Sequence, residues 1–536
     1  MKGDDRRVAI VGAGPAGLVG ARFLKAQGFE PVLFDRGRRV GGQWDHPAPM
    51  SGVWPDMRAN TSLILTRFSD LDYPEGTAAF PHNEQVGAYL EAYAARFDLF
   101  PAIRPTTIVE EIARAPDGGY RLTATDANGA EIVEDFPCVV IASGRYNLPA
   151  TPDIEGLSAF AGRPGLRHAF DYDGPDEFLG ARVLVAGGSN SALEIACDLA
   201  RLGAAKVVIA MRRQRYVVPK LIAGVPVDNI GLTRFAALAA ETFPPEATAA
   251  ALKAFILEAA GNPAIYGAPP PAQNLLEARV ALNQDYVPLL AEGRLTARPW
   301  ITRMDGRTVW FEDGTSAEFD AVVMSTGYKL SLPFLSREIS EILATDDTHI
   351  DLADSTFHPD LDGLAFLGLY PLIGPYFPVL ELQARYLAYA WGGAIPHPTR
   401  AQLMADVAAY RKKRGGPQGR MMHAMAVRFA RLAGVEPQPA ETPQIARALL
   451  FGPLTASSFR LVGPDALDGA AGIIAGDAAR YGAVSDSSFT DSERYRLAEL
   501  ADARRDPELA RLAQKAGAPK DSRSNARDTH LPDYID

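Results

Sequence analysis

Residues 8–17 read VAIVGAGPAG, and the run PVLFD that follows closes on Asp35. Val8 to Val11 are apolar without alternation, the pattern of a strand buried on both faces of a parallel sheet. Gly12, Gly14 and Gly17 come next, with Ala13, Pro15 and Ala16 between them, and the helical pattern LVGARFLKAQG runs on to Gly28. In such a loop the first glycine permits the tight turn. The second lets the backbone approach a pyrophosphate, and the third lets helix and strand pack closely. The helix start offers free N–H groups and a positive dipole end to phosphate. Asp35 stands where an acid hydrogen-bonds a ribose diol. A glycine triplet by itself is a weak signal, because a glycine turn can sit on an empty doubly wound fold. Strand, turn, helix and terminal acid together predict a dinucleotide site at Gly12, Ala13, Gly14, Pro15, Ala16, Gly17 and Asp35. Just beyond it, Gly41-Gly42-Gln43-Trp44 suits a chain crossing close to a bound ring system, or equally a surface turn with a packed tryptophan.

A second unit of the same kind opens at Arg182–Ala186 and runs through SALEIACDLARLG to KVVIAMRR. Its loop is Gly187-Gly188-Ser189-Asn190-Ser191-Ala192, with Ser189 and Ala192 where glycines would be usual. Small residues still allow close approach, and hydroxyls can donate to phosphate. The offset from Gly12 to Asp35, applied to Gly187, lands on Ala210 rather than on an acid, and Arg212 and Arg213 follow. A 2′-phosphate repels a carboxylate and attracts a guanidinium, so this half reads as an NADPH site. The alternative is that the two arginines form a solvated charge cluster.

The order of elements predicts an α/β chain with two doubly wound, Rossmann-like dinucleotide folds, the second inserted into the first. Residues 1–150 and 331–455 make the first domain and 151–330 the second. The second carries a helical, proline-punctuated insertion at about 225–290. A C-terminal extension covers 456–536. Asn128-Gly129 marks a hairpin turn. The uncharged stretch 363–380 is interrupted by Pro371, Pro375 and Pro378, which predicts strands and turns in the core rather than a membrane helix. From about residue 486 the tail is polar, helical in pattern and without an apolar anchor. Asp506 and Pro507 there suit a helix start, and Gly517 a stop.

With 536 residues the chain fills two or three domains, and 47% hydrophobic with 22% charged residues is ordinary for a globular protein. A net charge of −11 argues against a broad nucleic-acid surface. Cys138 and Cys197 both sit in apolar runs and read as buried free thiols. No CxxC pair offers a dithiol redox centre or a cysteine zinc site, and the composition fits a reducing cytoplasm. The polar lead MKGDDRR shows no signal-peptide pattern. His46, His82, His349, His358, His397, His423 and His530 are scattered without metal-ligand spacing, so no metal site is expected.

Several of these segments resemble the flavin-containing monooxygenases. The resemblance is carried by the first glycine loop, GGQW at 41–44, MRANTSLILTRFSD at 57–70 and VVMSTGY at 322–328. It continues through FEDGT at 311–315, ELQAR at 381–385 and FGPLTASSFRLVGP at 451–464, the last resembling the longer, animal-type members. FAGRPGLRHAFDY at 160–172 is similar to the family signature F-x-G-x3-H-x3-[FY]. Phe160, Gly162, His168, Phe170 and Tyr172 are present, with two extra residues between Gly162 and His168. The animal members end in an apolar membrane-associating segment, and the polar tail here predicts no membrane anchor.

The resemblance implies FAD in the first fold and NADPH in the second, with O2 and a small molecule as co-substrates. It implies cofactor contacts from Gly42, Gln43, Trp44 and Gln383. A C4a-hydroperoxyflavin would pass one oxygen atom to a soft nitrogen or sulfur nucleophile. Asn60 matches the asparagine that lies beside the reacting edge of the flavin in the family, whereas related Baeyer–Villiger enzymes usually carry aspartate there. Taken alone, Asn60 in RANTS reads as a turn residue. His168 is implied to be a structural, domain-linking residue rather than an acid–base catalyst. The rival readings are a Baeyer–Villiger monooxygenase acting on ketones and a flavin-dependent NADPH reductase that uses no oxygen.

Overall fold

The computed structural model describes residues 5–45, 51–416 and 419–514. His46, Gly517 and His530 lie outside these. The quoted stretch forms the strand Arg7–Val11, helix α1 (Pro15–Ala26) and the strand Glu30–Phe34. These strands sit inside a five-stranded sheet in the order Leu364–Phe366, Cys138–Ile141, Arg7–Val11, Glu30–Phe34, Ile103–Arg104. Every neighbouring pair is parallel. Val8, Ala9 and Ile10 are fully buried, as an unalternating strand requires.

The second sheet repeats the plan. Its order is Leu295–Arg298, Lys206–Ala210, Arg182–Ala186, Ala321–Met324, Gly165–His168, again parallel throughout. Helix α2 (Asn83–Arg96) belongs to the first half, and α3 (Asn190–Arg201) follows the second glycine loop as α1 follows the first. Each half also carries a three-stranded antiparallel sheet. In the first half the hairpin turns at Asn128-Gly129, where Asp126 Oδ1 accepts from the Asn128 and Ala130 N–H groups.

The first sheet takes strands from both sides of the second, so the second fold is inserted into the first. The chain crosses over and back at one place. Leu148–Pro149 pairs antiparallel with Tyr328–Lys329, Ala150 N–H donates to Gly327 O at 2.9 Å, and Thr326 Oγ1 donates to Ala150 O. The inserted half carries the expected helices, α4 (Val227–Gly231), α5 (Arg234–Thr242) and α6 (Pro245–Ala260).

Two expectations are corrected. The stretch 363–380 is not strands and turns throughout, because from Phe377 it belongs to the helix Phe377–Gly392. Pro378 lies in that helix's first turn, where the N–H it lacks has no helical partner to lose. This helix is buried along its length from Phe377 to Ala390, and the polar side chains it buries, Glu381, Gln383 and Arg385, are held by hydrogen bonds and an ion pair. The tail, too, is anchored. Helices Asp491–Arg504 and Pro507–Gln514 bury Leu497, Leu500, Leu509 and Leu512 in one cluster with Leu449, Leu450, Phe451 and Ile474. The leucines are diluted in sequence by charges that mostly face water, Glu493 excepted, which pairs with Arg447 inside. Asp506 does start the last helix, accepting from the Glu508 and Leu509 N–H groups. Among the described residues no helix is long and apolar enough to cross a membrane.

Candidate active site

The two glycine loops are built alike. Gly12 N–H donates to Phe34 O, and Gly187 N–H donates to Ala210 O, both at 2.8 Å. Both glycines have positive φ, +109° and +149°. A Cβ on Gly12 would lie 2.5 Å from Ala142 O, and one on Gly187 would lie 2.1 Å from Ser325 O. A Cβ on Gly17 would lie 1.8 Å from Gly12 O, so helix α1 can approach its strand only with glycine there. In the second loop Ala192 occupies that position and is fully buried.

Helices α1 and α3 also share an uncapped start. Gly14 and Ser189 are their N-cap residues, neither makes a side-chain cap, and neither helix has an acid in its first turn. By contrast His82, Thr399 and Thr490 cap their helices. Pro15 fills the first turn of α1, where its missing N–H is harmless. Both helices thus leave N–H groups and a positive dipole end for an anion. With glycines that let strand, turn and helix pack this closely and with N–H groups free at both helix starts, these residues fit dinucleotide phosphates.

Asp35 lies at the end of its strand as expected. Its Oδ2 accepts from Ala13 N–H at 2.5 Å and its Oδ1 from Gly37 N–H at 2.6 Å. Burial raises its pKa, and the two backbone bonds oppose that rise. The 41–44 turn rests on the first loop: Gly41 N–H donates to Ala13 O, and Gly42 faces Gly14 so closely that a Cβ on Gly42 would lie 3.0 Å from Gly14 Cα. Trp44 packs against the core, with Gly87 against its carbonyl, while Gln43 is exposed.

In the second half Arg212 and Arg213 are both exposed. The Arg212 guanidinium lies 4.9 Å from the centre of the Trp300 ring, and among the described residues neither arginine has an ion-pair partner. Gly188 packs against Met211, which sets the arginine pair beside the loop. Asn190 is partly engaged, since its Oδ1 accepts from Leu282 N–H at 3.0 Å and ties the helical insertion to the loop. Ser191 is half-buried. Gln383 is fully buried and its amide is used within the fold: its Oε1 accepts from Gly368 N–H, and its Nε2 donates to Ser355 O, Thr356 Oγ1 and Phe366 O. It holds the Gly368 turn, which itself packs against Ala16 at the start of α1.

Residues 52–62 of the first half run against the inserted half. A Cβ on Gly52 would lie 2.9 Å from the Tyr328 hydroxyl. Trp54 meets Tyr172 edge to face at 5.6 Å, and Ser62 N–H donates to Asp228 Oδ2 on α4 at 2.6 Å. Asn60 therefore sits on the segment that joins the two dinucleotide folds. Its Oδ1 is buried and has no hydrogen-bond partner among the described residues. The far end of the segment is held by charge. Arg67 pairs with Asp477 at 2.6 Å, and Glu381 accepts from both Ser69 N–H and Ser69 Oγ.

His168 ends the edge strand of the second sheet. Its Nδ1 accepts from Phe170 N–H at 3.0 Å and its ring meets Tyr328 edge to face at 5.6 Å. Burial lowers its pKa, so the ring is neutral at pH 7. It also rims a depression of about 440 Å³ with Thr151, Arg167 and Asp171, which none of the predicted cofactor residues lines. Among the described residues no group of three or more His, Cys, Asp or Glu could hold a metal ion.

Sequence reasoning missed Ser62, Asp228 and Asn229. Nothing in VPVDNIGLT signals that its acid meets a backbone N–H 166 residues earlier.

A family model described as flavin-binding monooxygenase-like matches residues 5–487. Flavin-containing monooxygenase 2 of Homo sapiens and dimethylaniline monooxygenase [N-oxide-forming] 2 of Pan troglodytes are each 30% identical over 493 residues, covering 87% of this chain and 90% of their own length. Among solved structures, S-allyl-L-cysteine S-oxygenase from Allium sativum superposes with a TM-score of 0.60 at 25% identity, over 80% of this chain and 88% of that one. A cyclohexanone monooxygenase bound to epsilon-caprolactone shares the fold with a TM-score of 0.61 at 17% identity, over 80% and 97%. The chain belongs to the flavin-binding monooxygenase-like family and is an FAD- and NADPH-dependent monooxygenase.

Proposed function

We propose that this enzyme transfers one oxygen atom from O2 to a soft nitrogen or sulfur atom of a small molecule, and that Asn60 is its working side chain. The observation that carries this reading is the place of Asn60, on a first-half segment packed against the inserted half through Trp54–Tyr172 and Ser62–Asp228, with a buried amide oxygen left unpartnered. The names of the relatives agree, one forming N-oxides from dimethylaniline and one oxygenating the sulfur of S-allyl-L-cysteine.

In this reading residues 1–150 and 331–455 hold FAD. Gly12, Ala13, Gly14, Pro15, Ala16 and Gly17 lie along its pyrophosphate, Asp35 meets its ribose, and Gly42, Gln43 and Trp44 close over it. Gln383 acts on this site through the Gly368 turn. Residues 151–330 hold NADPH, with Gly187, Ser189, Asn190, Ser191 and Ala192 at the pyrophosphate and Arg212 and Arg213 at the 2′-phosphate. Residues 456–536 form an extension that braces the Asn60 segment through Asp477. Reduced by NADPH, bound FAD supplies the activation of O2. The protein's own part is placement and exclusion of water, for which a neutral amide serves better than a strong base. The two buried cysteines, Cys138 and Cys197, form no disulfide and fit a cytoplasmic enzyme.

The neutral Asn60 is also what sets this reading apart from ketone oxygenation. The deciding experiment is NADPH-supported turnover with an amine, a thioether and a ketone side by side, with products identified. Oxygenated amine or thioether with the ketone untouched is the expected result. Lactone or ester from the ketone alone would overturn it.

A further inference from the structure

Helix α4 brings a buried acid to the Asn60 segment. Asp228 is 6% exposed and Asn229 1% exposed. Asp228 Oδ2 accepts from Ser62 N–H at 2.6 Å, and Asn229 Oδ1 accepts from Ser62 Oγ at 3.2 Å. Among the described residues Asp228 has no cationic partner, and its Oδ1 and the Asn229 Nδ2 make no hydrogen bond. A carboxylate buried in this way is costly to the fold, since desolvation is not repaid by a counter-charge. An amide or hydroxyl could accept the same N–H at lower cost. Groups that cost stability persist where function uses them.

We propose that Asp228 is a positioning residue that holds Asn60 in place by gripping the Ser62 backbone from the inserted half. The inference rests on the reading of Asn60 above. Asn60 Oδ1 makes no bond of its own, so its placement depends on the backbone around it. Two residues on, a charge-assisted bond to the Ser62 N–H is short and directional. It ties the segment to the half that carries NADPH, so the two halves hold the amide between them. A displacement of about 1 Å in such a group can cost on the order of a hundredfold in the chemical step.

The test uses the full-length, FAD-loaded enzyme in five forms: parent, Asp228→Ala, Asp228→Asn, Asn60→Ala and the Asn60→Ala/Asp228→Ala double variant. The readouts are product formed per NADPH consumed, peroxide counted in parallel, and hydrogen exchange of the peptide spanning 57–66. Exchange is measured on FAD-free protein as well. Asp228→Ala should lower the coupling ratio at least threefold and speed exchange at Ser62 with or without FAD. Asp228→Asn keeps an acceptor and should restore most of both. The double variant should be no less coupled than Asn60→Ala. Ser62→Pro is the second route, should Asp228→Ala fail to fold. Ser62 has φ −63°, which proline adopts, so the change removes the N–H donor and should uncouple like Asp228→Ala. An Asp228→Ala or Ser62→Pro enzyme as tightly coupled as the parent would overturn the proposal, as would losses that multiply in the double variant. If Asn60→Ala alone stays coupled, the reading of Asn60 fails instead.

Discussion

Gly14 and Gly42 face each other at the mouth of the first fold, so that a Cβ on Gly42 would stand 3.0 Å from Gly14 Cα. Gly42 also has φ +59°, a conformation that costs a side-chain-bearing residue about 1–2 kcal/mol. Neither demand is absolute, because the 41–44 turn can shift by a few tenths of an ångström. Gly42→Ala should therefore fold but hold FAD at least tenfold more weakly, read as flavin absorbance retained through dialysis. Gly17→Ala should give no soluble protein, since its Cβ would lie 1.8 Å from a backbone oxygen of the strand's own turn. Normal flavin content in both variants would mean that these glycines do not shape the site.

Arg212 is predicted to distinguish the two nicotinamide cofactors. A hydrogen bond to a charged group contributes about 1.5–3 kcal/mol, so Arg212→Ala should lower kcat/KM for NADPH roughly 10- to 150-fold and leave NADH nearly unchanged. Trp300 braces the guanidinium from below. An exposed cation–π contact contributes about 0.5–1 kcal/mol, so Trp300→Leu should cost about two- to fivefold with NADPH alone. Equal losses with both cofactors would assign the arginine to the fold.

Asn60→Ala should keep FAD and reduction by NADPH while turnover shifts from oxygenated product to hydrogen peroxide. Loss of one preorganised donor typically costs about 2.7–4 kcal/mol, or about a hundredfold or more in the oxygen-transfer step. The ratio of product to NADPH consumed, measured with a thioether, reports it. Asn60→Asp should lower thioether oxidation as well, without opening ketone oxidation.

The Asp228 carboxyl is pushed from its ordinary value of 3.8 up to about 6, chiefly by burial and against the pull of the Ser62 N–H. The sign follows from linkage: between these values the folded chain holds a proton that the unfolded chain releases. Stability from this group is therefore full below about pH 4, falls as pH rises to about 6, and stays low above it. The loss corresponds to about 3 kcal/mol. Asp228→Asn removes it, so the variant's advantage in denaturant midpoint should grow from pH 4.5 to pH 6 and then level off. A pH-independent difference would place the carboxyl near its ordinary value.

Much of this could be read from the chain. The strands Arg7–Val11 and Arg182–Ala186, the loops that follow them and the exposed pair Arg212 and Arg213 fall where the spacing puts them. Local rules suffice there, because an apolar strand, a glycine turn at positive φ and a helix start are each written in adjoining residues. The leucines of the tail, by contrast, are diluted among charges, and only the packing against Leu449 and Ile474 shows which face they form. Gln383 and Asn190 were legible as polar residues near the site, yet their hydrogen bonds run to Gly368, Phe366 and Leu282, partners that spacing cannot name. The grip of Asp228 on Ser62 is a pure product of tertiary structure.

The paired strands Leu148–Pro149 and Tyr328–Lys329 bring both ends of the inserted half to a single seam. A segment whose ends meet can be cut out and replaced like a cassette, because the host only has to bridge the gap between adjacent ends. Chimeras that exchange 150–327 for the corresponding region of a relative are thus a practical test of the proposal that this half sets the choice of coenzyme. The seam is not the whole junction, however. Ser62 N–H in the host half meets Asp228 of the inserted half, so residues 57–70 belong with the cassette as a second, separate graft.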